Sequence, residues 1–451
     1  MTGAFAGERA VVVGAGVAGV AAAEALLAEG AGVRVTDLRP PDELGDVARL
    51  QAAGAEVRAG GHDRSDLEGA TVVVTSPGVP PTAEILVWAR EGGLPVWGEM
   101  ELGARLARVP YLAVTGTNGK TTATGMLAAV LRAAGRDAVA CGNIGRPFPT
   151  TAREQHDVLV VEASSFQLAS QDSFHPVVSV LLNVAPDHLD WHGSFEGYAN
   201  AKGRIHANQR GTDVHVGNRD DGLAARISAA AECRRVWFRA GSPSADEVGY
   251  EDDELVSRIG PEASLGPIDG QRAGYREDAA AAAAGALAFG VAPDAVASGL
   301  ARYEPPSHRG DVVAEIAGVR FVDNSKATNV HAALAAIDRV TDAVLIAGGR
   351  AKGQDLSALA ERAGHLVGVV AVGESADDVA AAFAGRLPTE RADTIEEATG
   401  RAFRLAQPGG LVLLAPACAS WDQFTDYAER GERFASAARA LAEEVSSRAR
   451  S

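Results

Sequence analysis

The chain has 451 residues, room for about three domains of ordinary size. Its formal charge of −17 argues against nucleic-acid binding, which wants a basic face, and Cys141, Cys233 and Cys418 lack the CxxC spacing of a metal or redox site. No apolar run approaches the roughly 20 residues of a membrane span, and Met1–Arg9 lacks a secretory pattern, so a soluble cytoplasmic protein is expected.

β-rich apolar runs alternate with Ala/Leu-rich helical stretches, the pattern of α/β domains with parallel sheets. The first block runs to about Ala107. It opens with a strand at Ala10–Val13, a Gly-rich turn, and a helix at Val20–Ala28. Strands at Gly32–Thr36 and Thr71–Thr75 follow. The turn reads Gly14-Ala15-Gly16-Val17-Ala18-Gly19, with Asp37 some way on after the second strand. Glycines there allow a diphosphate to approach a helix N-terminus, and Asp37 could accept a hydrogen bond from ribose or uracil. Taken alone, the turn would suggest an NAD(P)-dependent oxidoreductase. Asp37-Leu38-Arg39 and Ser76-Pro77-Gly78 also follow strand ends, where open parallel sheets bind ligands.

The second block starts with a strand at Tyr111–Thr115 and runs into Gly116-Thr117-Asn118-Gly119-Lys120-Thr121-Thr122. Between strand and helix, this loop would cradle phosphate on backbone N–H groups. Lys120 would reach the β- and γ-phosphates, and the Thr121 hydroxyl would face Mg2+. Val114 replaces the first glycine of the full P-loop pattern. Glu162 closes the strand Val158–Val161, well placed to hold Mg2+. A strand at Val177–Val184 leads to Asp187, His188, Asp190 and His192, of which His188 is the candidate metal ligand. A helix is expected at Phe195–Ala207, carrying Lys202. The segment Gly241–Arg272 is acidic and turn-rich, read as irregular or hairpin structure. An Ala-rich core helix spans Asp278–Ala288. The third block begins after Pro305-Pro306, with strands at Val319–Val322, Ala343–Ala347, Val367–Val372 and Gly410–Leu414. It contains a third Gly-rich loop, Gly348-Gly349-Arg350-Ala351-Lys352-Gly353.

Only four of the 42 basic residues are lysine: Lys120, Lys202, Lys326 and Lys352. A chain that otherwise writes arginine keeps lysine where a compact ammonium or a reactive amine is required.

These motifs resemble the Mur ligases, the ATP-dependent ligases of peptidoglycan precursor synthesis, and among them the branch that adds glutamate. The resemblance runs the length of the chain. It rests on TGTNGKTT at Thr115–Thr122, GNIG at Gly142–Gly145, EASSFQL at Glu162–Leu168 and NVAPDHLDWH at Asn183–His192. It continues with Lys202, His308-Arg309, SKATN at Ser325–Asn329 and PACASWDQF at Pro416–Phe424.

The resemblance implies an α/β protein of three domains. A Rossmann-like domain (1–107) would hold the UDP part of UDP-N-acetylmuramoyl-L-alanine at Gly16, Val17, Ala18, Asp37, Leu38, Arg39, Ser76, Pro77 and Gly78, with Asn143 touching the muramoyl group. A P-loop domain (108–305) would bind ATP through Gly116–Thr122, joined by Arg309 and Asn324. A Rossmann-like C-terminal domain (306–451) would present glutamate through Lys326, Thr328, Lys352, Ser420 and Tyr427. Two Mg2+ ions would be served by Thr121, Glu162, His188 and a carbamylated Lys202. Catalysis would fall to Lys120, Lys202, His188 and Lys326. The reaction would join glutamate, as the D isomer, to the alanyl carboxylate through an acyl phosphate, in a monomeric enzyme. A paralogue adding L-glutamate or another amino acid is the alternative within the family. The chain departs from the pattern in three places. Gly274-Tyr275-Arg276-Glu277-Asp278 stands where the family carries HNxxN, Asn324 replaces an Asp, and Tyr427 replaces a Phe.

Overall fold

The computed structural model describes residues 3–267, 275–406 and 408–448. It resolves into two compact units: Met1–Val184 with Ala199–Tyr303, and Ala185–Tyr198 with Glu304–Ser451.

The first unit holds two sheets. One is fully parallel, built from β1 (Arg9–Val13), β2 (Gly32–Asp37), β3 (Glu56–Ala59), β4 (Val72–Thr75) and β5 (Val96–Gly98) in the order β3-β2-β1-β4-β5. The other contains β6 (Tyr111–Thr115), β7 (Ala138–Gly142), β8 (Val158–Glu162), β9 (Val178–Leu181), β10 (Val214–Asn218) and β11 (Arg234–Phe238). It ends in β12 (Glu247–Glu251), β13 (Glu254–Ser257) and β14 (Ala263–Pro267). Its order is β14-β13-β12-β11-β10-β9-β6-β8-β7. The P-loop strand β6 lies between β8 and β9, with Val114 paired to Glu162. Buried runs of Val and Leu make these strands, as parallel sheets covered on both faces require.

The turn-rich segment folds as the antiparallel ladder β12–β14, and its end at 268–272 lies outside the described residues. The first helix begins earlier than its apolar pattern suggested, at Val17. The strand expected to reach Val184 stops at Leu181. The helix carrying Lys202 is Phe195–Gly203, followed by a 3-10 turn at Arg204–His206. The Ala-rich helix Arg276–Ala288 buries Ala279–Ala286 within the central core, alongside residues of Lys120–Ala133. Side chains this small let backbone layers approach closely.

Helix Glu99–Leu106 follows β5 directly and binds the first sheet to the second through two carboxylates. Glu101 accepts backbone N–H bonds from Asp172 (2.9 Å), Ser173 (2.9 Å) and Phe174 (3.1 Å). Glu99 accepts the Gln167 amide at 2.6 Å, while its other oxygen is buried without a hydrogen bond among the described residues. Burial pushes the Glu99 carboxyl up to about 7, against the opposing bond from Gln167. In the unfolded chain the group ionises near 4.5, so stability from it is complete below that pH and lost as pH rises through 7. Glu99→Gln is therefore expected to melt several degrees above the parent at pH 8 and close to it at pH 5. A difference in melting temperature that does not change with pH would refute the assignment.

The second unit contains β15 (Asp311–Ile316), β16 (Val319–Asp323), β17 (Ala343–Ala347), β18 (Leu366–Val372), β19 (Thr389–Ala392) and β20 (Leu411–Leu414). Their order is β15-β16-β20-β17-β18-β19, parallel except for the β15–β16 hairpin. The short segment 185–198 packs with this unit although it follows β9 in sequence.

Candidate active site

At the end of β1, the Gly-rich turn is braced by Asp37. This carboxylate accepts the Ala15 N–H (2.7 Å), the Arg39 N–H (2.9 Å) and the Arg39 guanidinium at 2.9 and 3.0 Å. Burial works to raise its pKa, but the bonds from Arg39 and Ala15 outweigh it and hold the carboxyl at about 2. Asp37 thus fixes the turn and aims Arg39. Ser76 closes the turn from β4, its hydroxyl donating to Gly14 O (3.1 Å). Val17 (77% exposed) and Leu38 (68%), in the turns after β1 and β2, stand out as large apolar side chains left open; Pro77 and Gly78 follow β4, the other neighbour of β1.

The P-loop follows β6. Gly119 has φ +81°, and a Cβ there would sit 2.0 Å from Asp278 Oδ1, so only glycine fits. Asp278, which occupies the last position of the altered HNxxN stretch, therefore lies directly against the loop. Asn183 clamps the loop from the chain beyond β9: its Oδ1 accepts the Asn118 N–H (2.9 Å), and its backbone O accepts that of Thr117 (3.0 Å). Lys120 Nζ donates to Gly116 O and Thr117 O, both at 2.8 Å. Lys202 Nζ donates to the same Gly116 O at 2.6 Å, from a side chain only 1% exposed. Two lysines distant in sequence thus meet on one P-loop carbonyl. Thr121 is half-buried, whereas Thr122 is fully buried.

Glu162 lies beside this loop at the end of β8. Its Oε1 accepts the Asn143 amide at 2.7 Å, and its buried Oε2 has no hydrogen-bond partner among the described residues. No group of three or more His, Cys, Asp or Glu side chains among those residues could hold a metal alone. The donors here suit Mg2+, which takes one or two carboxylates and completes its shell with hydroxyl, phosphate and water oxygens.

In the second unit three loops meet at the carboxyl ends of neighbouring strands: 324–329 after β16, 416–420 after β20, and 348–353 after β17. Backbone bonds knit them together, with Ala417 N–H to Ala327 O (2.9 Å) and Arg350 and Ala419 exchanging a pair (2.9 and 3.0 Å). At Gly349, with φ +125°, a Cβ would come within 2.4 Å of Ala419 O. Thr328 lies half-buried in the first loop, and Ser420 is buried at the end of the second. Lys326 Nζ sits 3.8 Å from the centre of the Tyr427 ring. Beneath the loops, buried Arg430 donates to Ser325 O (2.8 Å), Ser325 Oγ (2.9 Å) and Cys418 O (3.1 Å). Burial brings this guanidinium down to about 10. Asp323 accepts from Ser325 N–H (2.9 Å) and lies 2.6 Å from His308 Nδ1. Both its oxygens are thus engaged, and Asn324 beside it is half-buried. Arg309 follows His308 and is half-buried.

His188 belongs to the 185–198 segment and has a left-handed backbone, φ +53°. Its N–H donates to Asp187 Oδ1 (2.9 Å). Asp187 in turn pairs with Lys352 at 2.9 Å and accepts the Asn329 amide at 3.3 Å. None of the four lysines is exposed.

Three family models cover this architecture: the Mur ligase MurD-like N-terminal domain at 8–98, the Mur ligase middle domain at 114–256, and the Mur ligase glutamate ligase domain at 308–418. The chain belongs to the Mur ligase family.

Mur ligases are ATP-dependent and form amide bonds, and the resemblance seen in the motifs is thereby established. The chain is 45% identical to the UDP-N-acetylmuramoylalanine--D-glutamate ligase of Frankia casuarinae over 449 residues, covering 97% of this chain and 95% of that one. It is 40% identical to the ligase of the same name from Streptomyces coelicolor over 476 residues, covering 98% and 100%. Solved structures of similar fold include MurF ligase from Thermotoga maritima in complex with ADP (TM-score 0.61, 16% identity, 92% of this chain and 96% of that one). A pseudomurein peptide ligase type C from Methanothermus fervidus is another (TM-score 0.59, 18% identity, 90% and 96%). No described helix of this Mur ligase is long and apolar enough to cross a membrane.

Sequence reasoning passed over Asn183, Arg430 and the Glu99–Gln167 pair in this Mur ligase, and it read Asp187 only as part of a metal-ligating cluster. Asn183 stood within a quoted motif, so its position beside the P-loop strand could have flagged it. The others carry no local signal, because their partners lie far along the chain.

Proposed function

We propose that this Mur ligase adds D-glutamate to UDP-N-acetylmuramoyl-L-alanine at the expense of ATP, as a step of peptidoglycan precursor synthesis in the cytoplasm. The observation that carries the reading is the meeting of Lys120 and Lys202 on Gly116 O beside Glu162, a site built for phosphoryl transfer. Full-length similarity to ligases named for D-glutamate supports the choice of amino acid.

In this reading, residues 1–107 hold the UDP group, 108–305 hold ATP, and 306–451 present the amino acid. Gly16, Val17, Ala18, Leu38, Arg39, Ser76, Pro77 and Gly78 surround the nucleotide of the acceptor, with Asp37 as their brace. Asn143 touches the muramoyl part. Backbone N–H groups of Gly116–Gly119 cradle the ATP phosphates, with Thr122 at the base of the helix, and Arg309 and Asn324 contact the nucleotide. Lys120 swings from the loop carbonyls to the transferring phosphoryl group. Thr121, Glu162, His188 and carbamylated Lys202 would hold Mg2+, which when bound neutralises charge on the phosphoryl oxygens. Carbamylation would turn Lys202 from a cation into an oxygen donor.

A free carboxylate is a poor acyl donor, so the alanyl carboxylate first attacks the γ-phosphorus, releasing ADP and giving an acyl phosphate. The amine of glutamate then attacks that carbonyl carbon, and phosphate departs. Lys326 offsets the oxyanion that develops in this step. Thr328, Lys352, Ser420 and Tyr427 hold the amino acid.

The test is ADP release from ATP. It is expected only when UDP-N-acetylmuramoyl-L-alanine and D-glutamate are both present. Equal or better release with L-glutamate would overturn the stated specificity, and release independent of any amino acid would overturn the ligase.

A further inference from the structure

His206 and His215 meet against β10, and the chemistry proposed above uses neither. His215 lies in β10, level with Ser179 of β9 and Arg235 of β11. Its ring is fully buried and bonded at both nitrogens. Nδ1 lies 2.6 Å from Ser179 Oγ, and Nε2 lies 2.8 Å from Ser228 Oγ. The hydroxyl proton of Ser179 is spent on Gln209 Oε1 at 2.6 Å. Gln209 is oriented by its own amide, which donates to Pro176 O (2.9 Å) and Val214 O (3.1 Å). Ser179 Oγ therefore accepts from His215 Nδ1–H, and Nε2 is left to accept from Ser228. The network fits one neutral tautomer, and a second ring proton would meet a hydroxyl that is already donating.

His206 closes the 3-10 turn that follows the Lys202 helix, and its ring centre is 4.7 Å from that of His215. His206 Nε2 is buried with no hydrogen-bond partner among the described residues. A bare ring nitrogen is tolerable there, whereas a charged N–H without an acceptor is costly. Burial lowers the pKa of His206 against the pull of the Ile227 carbonyl. Burial lowers that of His215 well below the ordinary value, and nearby His206 and Arg235 lower it further. The other groups around the rings bring no relief. Asp213, ahead of β10, is held by His175 Nε2 (2.6 Å) and the Arg210 N–H (2.7 Å). Burial keeps Cys233 a neutral thiol, and Arg204 and Arg226 are exposed cations.

We propose that His206 and His215 form an acid-sensitive lock on the turn behind Lys202. With both rings neutral the turn is closed. A proton on either ring opens it and loosens the hold of Lys202 on Gly116 O, because Lys202 lies one helical turn earlier in the chain. A released ring titrates near 6.5, so the lock is intact above that pH and fails as pH falls below it. Each ring contributes up to roughly tenfold per pH unit to the opening equilibrium. The response is opposite in sign to that of Glu99.

The consequence for ligation rests on the proposed role of Lys202, whereas the lock itself does not. Full-length enzyme is compared with His206→Phe and His215→Gln between about pH 8 and 5.5, a range that spans the ordinary histidine pKa. His206→Phe keeps an aromatic ring without a titrating group. His215→Gln keeps a donor and an acceptor for the two serines. Hydrogen–deuterium exchange over residues 199–209, corrected for its intrinsic pH dependence, is read without substrates. ADP release at saturating substrates is read alongside. The parent is expected to lose protection over 199–209 reversibly, on the order of tenfold or more per pH unit below the histidine range, and to lose ADP release with it. In both variants this acid limb should move down by about one pH unit or more, and His206→Phe should keep the parent's rate at the alkaline end. An acid limb unchanged in both variants would overturn the proposal. So would protection over 199–209 that is indifferent to pH in the parent. If exchange follows the rings while ADP release stays flat, the lock stands and the proposed role of Lys202 falls.

Discussion

Lys202→Arg is expected to keep the positive charge and nearly abolish ligation. Lys202 lies in a fully packed position, with its ammonium 2.6 Å from Gly116 O. A guanidinium is planar, wider, and unable to take up CO2, so neither the space nor the carbamate chemistry survives the exchange. Loss of about three orders of magnitude in turnover is expected, the scale associated with removing a preorganised charge-stabilising group. Overpacking also costs stability, typically about 1–3 kcal/mol, so the variant's melting temperature has to be measured alongside. Lys202→Ala separates the two effects. It leaves a cavity that acetate or propionate can enter, and on the proposed mechanism a carboxylate there would stand in for the carbamate oxygen. Partial recovery of ADP release with added short-chain carboxylates is expected for Lys202→Ala and none for the parent. Full activity in Lys202→Arg would remove the carbamate from the mechanism.

Lys120→Ala is expected to lower turnover by about two to three orders of magnitude or more. The ammonium now bonded to Gly116 O and Thr117 O is the one basic side chain within Gly116–Thr122, the loop proposed to cradle phosphate. Removing it deletes a charge that counts most when phosphoryl oxygens gain negative character, so kcat should fall further than ATP affinity. Single-turnover measurement of acyl phosphate formation checks this directly. A variant that forms acyl phosphate at the parent rate would displace Lys120 from the chemical step.

The parts of the site legible in the sequence are those whose chemistry is local. Gly116-Thr117-Asn118-Gly119-Lys120 must turn sharply, expose N–H groups and carry an amine within five residues, so the pattern betrays itself. Glu162 was legible because a carboxylate at the end of an apolar strand is costly without a task. The lysine scarcity pointed to Lys202, although nothing in the sequence revealed that its amine shares a carbonyl with Lys120. The hidden parts are pairings across long stretches of chain. Asp187 meets Lys352 across 165 residues, and Arg430 reaches Ser325 across 105. Asp and Arg are common surface residues, and only the fold shows these two to be buried. The same applies to Glu99, whose partner lies in another sheet's helix. The antiparallel ladder β12–β14 was half legible, because its turns were visible but its short charged strands were not.

The inward placement of all four lysines also shapes how this protein can be handled. Its outer cations are guanidinium groups, which acylating reagents ignore at neutral pH. Activated esters, aldehydes and amine cross-linkers therefore find only half-buried or buried lysine side chains as targets. On the proposed function such reagents would probe the catalytic machinery, and bound nucleotide is expected to slow their reaction with Lys120.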